Sequence, residues 1–283
     1  MPLRNTGPAR PLTAAAMPSY TRHGGKDQRT EIVMAMVQHA RAATRAKATR
    51  KTARFTFRKE IAEQIVRYGR MVVARGYIHN SLGNIAIRVP HPAYPDGIAY
   101  TKHSGVSLEE MTVDNVVVTE IPTSNLVFGS VPTSVGHKLN REIFRLRPDV
   151  GAVIHVHHDE TIAFLASKAF PEIKAVSLEY PYVMAKPAYI VPSHLDVEQD
   201  VDPLKDFVQG TNSLVMIRHG ITTFGRNVSE AYHRLNTLTS EVRRNVLIEQ
   251  LCALKGTKGE YLSQKDIDWM YNYAEDVIYP TKQ

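Results

Sequence analysis

Residues 150–158 read Val-Gly-Ala-Val-Ile-His-Val-His-His, a short apolar run that ends in three histidines. The length and the β-branched content of the run predict a buried strand. Side chains two residues apart on a strand point to the same face, so His155 and His157 face one way and His158 the other. The pair at the strand end could hold one ion together. Two hydrogen-bonded structural histidines are the alternative.

A second buried strand is predicted at Ser213–Arg218, and it ends in His219 and Gly220. A histidine in a turn at a strand end is placed to face a cleft. Imidazole binds Zn, Fe, Cu and Ni alike, so histidines indicate a transition metal without naming it. We expect His155, His157 and His219 to bind one divalent metal ion and His158 to have a structural role.

The segments around these two strands alternate between helical and extended patterns, without the strict βαβ rhythm of a doubly wound fold. Five more strands are predicted, at Asn84–Val89, Ile98–Thr101, Val116–Ile121, Ala175–Leu178 and Ala188–Val191. Helices are predicted at Phe57–Arg75, Ser134–Arg145, Thr161–Ala169 and Ser229–Leu254, the last capped by Ser229. The chain divides into a basic arm (1–54), a catalytic domain (55–255) and a C-terminal extension (256–283) that packs on the domain or on a neighbouring subunit.

Composition and charge exclude several classes of protein. The 283 residues include 35 Lys and Arg against 28 Asp and Glu, but the excess is concentrated between Arg4 and Lys59. Without a basic, aromatic-rich surface elsewhere, we expect no nucleic-acid partner. No apolar run reaches the roughly 20 residues that cross a membrane. The single cysteine, Cys252, has no partner for an intramolecular disulfide, so we expect a cytoplasmic protein.

The motifs together resemble those of the class II aldolase and adducin superfamily. The similarity covers roughly residues 57–255 and rests on Phe144–His157, Arg218-His219-Gly220 and Ser229-Glu230-Ala231. It implies an α/β/α three-layer sandwich around a mainly antiparallel sheet, a homotetramer with sites near subunit interfaces, and metal binding by the three histidines. It also implies a pocket for a substrate carboxylate or other anion, formed by Gly83, Asn84, Ser104, Gly105, Thr133 and Ser134.

One position departs from the family pattern. Family aldolases carry a glutamate directly after the Pro-Thr-Ser motif, where it acts as acid and base and can touch the metal. Here Val135, Gly136 and His137 follow that motif, and valine cannot exchange a proton. His137 is therefore a possible additional ligand or acid/base. The segment Thr101–Gly105 is also one residue longer than the family's usual form.

The missing glutamate makes the chain similar to a branch of this superfamily, the bifunctional non-heme iron oxygenases of aminocoumarin antibiotic biosynthesis. That resemblance implies Fe(II) and dioxygen-dependent oxidative decarboxylation of prenylated 4-hydroxyphenylpyruvate to the mandelate and then to the benzoate. Three neutral imidazoles leave an octahedral iron with three open positions, which suits such chemistry. One alternative is a Zn(II)- or Mn(II)-dependent lyase acting on a sugar phosphate or hydroxy acid. The other is a non-enzymatic scaffold that resembles adducin.

Overall fold

The computed structural model describes residues 55–134, 136–167 and 172–277, so the predicted basic arm lies outside the described residues. Within these ranges lie eight strands: β1 Asn84–His91, β2 Tyr94–Lys102, β3 Val116–Glu120, β4 Leu126–Phe128, β5 Ala152–Val156, β6 Tyr189–Val191, β7 Ser213–Met216 and β8 Gly220–Gly225. The same described residues form six α-helices: α1 Lys59–Ala74, α2 His137–Leu146, α3 Asp159–Ala166, α4 Glu179–Met184, α5 Val228–Lys255 and α6 Gln264–Val277. Short 3-10 helices lie at Val113–Asn115, Asp202–Asp206 and Val208–Gly210.

The strands form one sheet in the order β4-β3-β2-β1-β5-β8-β7-β6. Every neighbouring pair is antiparallel except β6 and β7, which are parallel. The predicted mainly antiparallel sheet is therefore confirmed.

The two faces of the sheet carry separate hydrophobic cores, as alternate side chains of each strand require. On β5, Ile154 packs into the core that includes residues of α1, α3, α4 and α5. Val153 packs into the opposite core, with α2 and the 3-10 helices at Asp202–Asp206 and Val208–Gly210. Helical layers on both faces make the fold the α/β/α sandwich expected from the resemblance.

The antiparallel pairing brings several loops to one end of the sheet. Asn84, the first residue of β1, pairs with His155 near the end of β5. Val156 in turn pairs with Ile221 near the start of β8. The segment that follows β5 and the turn between β7 and β8 therefore meet beside the start of β1.

The prediction of a strand at Ala175–Leu178 is wrong. The backbone N–H groups of Val176 and Ser177 donate to the buried carboxylate of Glu241 on α5, with a distance of 3.0 Å for Ser177. This segment therefore has side-chain partners for its N–H groups and makes no sheet ladder. Its neighbour Lys174 is held in the same way, by Asn245 of α5.

The prediction that Ser229 caps the long helix is also wrong. The N-cap is Asn227, whose side chain accepts a hydrogen bond from the backbone N–H of Glu230 at 2.9 Å. Glu230 itself pairs with Arg234 at 2.6 Å. The motif around Ser229 thus fixes the start of α5, with a different residue as its cap.

The C-terminal segment packs against the domain through α6. The backbone N–H of Leu262 donates to the carbonyl of Ala175 at 2.8 Å, and Tyr273 stacks on Tyr182 of α4 with ring centroids 5.8 Å apart. Among the described residues, each helix is too short or too polar to traverse a lipid bilayer.

Candidate metal centre

The structure brings His155, His157 and His219 together at the end of the sheet. Each offers one ring nitrogen, and these three atoms all lie within 4.8 Å of one another. The ring centroids are separated by 4.8–5.2 Å. His155 is buried, whereas His157 and His219 are half-buried, so the cluster opens toward solvent on one side.

The turn between β7 and β8 delivers His219 to the end of β5. Arg218 adopts a left-handed conformation with φ of 61°, which reverses the chain within a few residues. Gly220 lies so close to β5 that a Cβ there would come within 2.1 Å of the Val156 carbonyl oxygen. The glycine after His219 is therefore required by the contact that carries this imidazole to the other two.

Burial keeps two of the imidazoles in the neutral form that binds metal ions. Removal from water lowers the pKa of His155 to about 3 and also lowers the pKa of His157. The Nδ1 atom of His155 lies 3.0 Å from the Thr222 hydroxyl, which leaves Nε2 directed toward the cluster. Such a contact fixes the orientation of a ligating imidazole.

A fourth group in this cluster, the carboxylate of Glu198, was not predicted from the sequence. Its Oε2 atom lies 3.3 Å from Nε2 of His219, and its Oε1 atom lies 3.5 Å from Nε2 of His155. Burial alone would raise the pKa of Glu198, but its hydrogen bond with His219 and the neighbouring imidazoles lower it. The same hydrogen bond raises the pKa of His219.

Asn84 and Gly83, both predicted for the anion pocket, lie directly beside the histidines. Asn84 is buried and pairs with His155 across the sheet, and its side-chain oxygen accepts a hydrogen bond from Asn140 of α2. Gly83 has φ of 78°, and a Cβ there would come within 2.8 Å of the His155 carbonyl oxygen. Only glycine fits this close approach in a left-handed conformation.

The other four predicted pocket residues lie on two loops that are joined to each other. The backbone N–H of Ser104 donates to the Pro132 carbonyl at 2.8 Å, and that of Ser134 donates to the Lys102 carbonyl at 3.3 Å. Each of these two N–H groups therefore already has a protein acceptor. The serine hydroxyls, Thr133 and Gly105 remain predicted anion contacts.

His137 and His158 lie outside the three-histidine group of the described residues. His137 begins α2, and its Nδ1 atom lies 2.9 Å from the Ser134 carbonyl oxygen. His158 is buried, with Nδ1 2.9 Å from the Thr161 hydroxyl and its ring edge-on to Tyr77.

The donor set fits a divalent transition metal. Among the described residues, Nε2 of His155 and Oε1 of Glu198 are buried and make no hydrogen bond. Two buried acceptors that face each other at 3.5 Å are costly to leave unsatisfied, and a cation between them would bind both. Three imidazoles and a carboxylate are ligands used for Zn(II), Mn(II) and Fe(II) alike.

A family model described as the class II aldolase and adducin N-terminal domain matches residues 63–244 of the chain. An L-fuculose phosphate aldolase of Methanococcus maripaludis is 25% identical over 189 residues, which cover 66% of this chain and 97% of the relative. A methylthioribulose-1-phosphate dehydratase of Citrobacter koseri is 28% identical over 190 residues, or 62% of this chain and 88% of the relative.

The solved structures agree on the fold. An L-fuculose 1-phosphate aldolase superposes with a TM-score of 0.64 at 15% identity, over 77% of this chain and 97% of its own. A second, from Glaciozyma antarctica, gives 0.63 at 16% identity over 80% of this chain and 89% of its own.

Proposed function

Because the chain belongs to the class II aldolase and adducin family, we propose that it is a divalent-metal lyase. Its substrate is a small anion with neighbouring carbonyl and hydroxyl groups, such as a sugar phosphate or a hydroxy acid. The observation that carries the proposal is the convergence of three imidazole nitrogens within 4.8 Å beside the predicted anion pocket.

The chain's own residues perform two tasks in this proposal. His155, His157 and His219 hold the cation, which when bound polarises a substrate carbonyl and stabilises negative charge on its oxygen. Asn84 and the hydroxyls of Thr133 and Ser134 bind the anionic end of the substrate, so that its reacting carbons lie beside the imidazoles.

Carbon–carbon cleavage and dehydration both require proton transfer as well. Position 135 holds valine instead of the acid found there in family aldolases. A carboxylate nevertheless stands beside the imidazoles, since Oε2 of Glu198 is 3.3 Å from His219. The site therefore contains an acidic group although valine occupies position 135.

The names of the relatives support this proposal over the oxygenase hypothesis from the sequence, because they are an aldolase and a dehydratase. The test is anaerobic turnover of a panel of sugar phosphates and hydroxy acids by protein loaded with Zn(II) or Mn(II). We expect activity that a chelator abolishes and that His219→Ala lowers by at least about a hundredfold. His194→Ala, which changes an exposed histidine outside the cluster, serves as the control.

Oxidative decarboxylation of an aryl 2-oxo acid by Fe(II) and dioxygen is the second candidate, and Val135 is the observation that favours it. Oxygen uptake with an arylpyruvate, measured on the Fe(II)-loaded protein, separates the two candidates. Oxygen consumption that is stoichiometric with carbon dioxide release, without anaerobic lyase activity, would replace the lyase proposal. Purification without metal and failure to bind added metal would instead indicate a scaffold.

A further inference from the structure

We infer that Glu198 is a direct donor to the cation and replaces, from a distant part of the chain, the carboxylate that family aldolases carry after the Pro-Thr-Ser motif. The inference rests on the metal site of the proposed function and adds a ligand to it. It also explains the glycine at position 136, because the absence of a side chain there leaves space for this carboxylate.

The distances from the Glu198 carboxylate to two of the imidazoles are those of ligands that share one ion. In a tetrahedral site with metal–ligand distances of about 2.0–2.1 Å, two donor atoms lie about 3.3 Å apart. Glu198 places its two oxygens 3.3 Å from Nε2 of His219 and 3.5 Å from Nε2 of His155. The carboxylate is therefore positioned to complete a set of three nitrogens and one oxygen.

The missing hydrogen bonds of Glu198 and His155 point to the same conclusion. Oε1 of Glu198 and Nε2 of His155 are both buried without a hydrogen bond among the described residues. A carboxylate that served only to pair with His219 would need Oε2 alone. The unsatisfied Oε1, turned toward a neutral imidazole, indicates that something positively charged belongs between them.

The loop that carries Glu198 is held in place on both sides of it. The Asp196 side chain accepts hydrogen bonds from the backbone N–H groups of Glu198 and Gln199, at 3.2 and 3.3 Å. Val197 is buried in the core that α2 covers. This anchored turn directs the Glu198 side chain toward the histidines and keeps it about nine-tenths buried.

Gly136, the N-cap of α2, leaves the space that the carboxylate occupies. A Cβ at this position would lie 2.9 Å from Oε1 of Glu198 and 2.7 Å from Nδ2 of Asn84. Both distances are shorter than real Cβ contacts, so any side chain here would displace the carboxylate or the amide. The sequence thus differs from the family pattern in two ways. Position 135 is valine where family aldolases have an acid, and Gly136 leaves space for the Glu198 carboxylate from another loop.

Binding of Co(II) tests the inference, because its visible spectrum reports the donor set and chelator competition reports the affinity. Wild type, Glu198→Gln and Glu198→Ala are compared, with the exposed Glu260→Gln as the matched control. We expect both Glu198 variants to bind Co(II) at least about tenfold more weakly and to shift its absorption bands, while the control is unchanged. Circular dichroism checks that each variant is folded.

A second pair of variants tests the space for the carboxylate. Gly136→Ala should weaken Co(II) binding and alter its spectrum in the same direction as Glu198→Ala. Gly210→Ala should leave both unchanged, because nothing lies within 4 Å of a Cβ there.

Wild-type affinity and an unaltered spectrum in Glu198→Ala would overturn the inference and leave the proposed function standing. A weaker affinity with an unaltered spectrum would also overturn it, since Glu198 would then act only through His219. A wild-type protein that binds no divalent cation would overturn both the inference and the proposed function.

Discussion

At the scale of single residues, burial sets the charge of the groups on which the site depends. His155 is buried, and removal from water lowers its pKa to about 3, so the imidazole is neutral near pH 7. Glu198 keeps its negative charge because an imidazole pairs with one of its oxygens. A neutral nitrogen and a charged oxygen therefore face each other, an arrangement that attracts a cation.

Lys102 shows the same effect of burial away from the histidines. It is 1% exposed at the end of β2, and its Nζ donates to the carbonyls of Ser81 and Val106, both at 2.7 Å. Burial lowers the pKa of Lys102 to about 8 from an ordinary value of 10.5. Between these two pH values the unfolded chain binds a proton that the folded chain does not.

The free energy of unfolding contributed by Lys102 must therefore rise with pH in that window. Relative to Lys102→Met, we expect the wild type to gain about 2 kcal/mol of stability between pH 7.5 and pH 9.5. Urea denaturation of both proteins at the two pH values measures the difference. A difference between the two proteins that did not change with pH would contradict this account.

At the scale of secondary-structure elements, the position of the site depends on how β5, β8 and α5 begin and end. The pairing of β5 with β8 places the turn that contains His219 next to His157. β8 leads through Gly225 into α5, whose side chains also hold the segment around Ser177. Correct capping of α5 therefore supports both the sheet and the loop that packs on it.

Asn227 should stabilise the start of α5, and Ser229 should not. Asn227→Ala removes the side-chain acceptor for the Glu230 N–H and is expected to cost about 1 kcal/mol of unfolding free energy. Ser229→Ala is the matched control, expected to change stability by less than about 0.5 kcal/mol. Chemical denaturation of the two variants measures both effects, and the reverse order would show that the serine is the cap.

Local sequence patterns correctly predicted the two strands that end at the histidines. A short run of β-branched apolar residues depends only on neighbours in the sequence, so it can be recognised without the fold. They failed where a partner distant in sequence decides the structure. Ala175–Leu178 has a strand-like composition, but Glu241 binds its N–H groups. β8 begins and ends with glycine, a pattern typical of turns, yet its pairing with β5 and β7 makes it a central strand.

The same limit explains why Glu198 was missed. It lies in the polar segment 196–200, Asp-Val-Glu-Gln-Asp, which reads as an exposed loop. No fixed spacing relates it to the histidines, since the chain passes from one to the other through several elements. The valine at position 135 was the one available signal, because a site that has lost an acid needs another from elsewhere.

At the scale of the whole molecule, the exposed apolar residues bear on assembly. Leu247, Leu251 and Leu254 are spaced at helical intervals on the second half of α5, and they are 47%, 54% and 83% exposed. An apolar stripe of this kind on a surface helix is typical of a subunit contact. The homotetramer that the sequence resemblance implies remains a prediction, and this stripe is where we expect part of its interface.

Sedimentation velocity tests that expectation. The wild-type protein should sediment as an assembly larger than one chain, and Leu251→Glu combined with Leu254→Glu should reduce its size, because burying two added charges in an interface is unfavourable. Lys258→Glu, at an exposed position just beyond α5, is the control. A monomeric wild type, or a double variant that sediments like the wild type, would show that the stripe is not part of a subunit interface.

The proposed metal site combines residues from two separate strand ends, which must bind one ion together. Calorimetric titration of Zn(II) into chelator-stripped protein measures this shared binding, with wild type, His155→Ala, His219→Ala and the exposed His194→Ala compared. We expect one high-affinity site per chain that is lost or weakened at least about a hundredfold in both cluster variants and retained in the control. Undiminished binding in His219→Ala would contradict it, because the third imidazole would then have no part in the site.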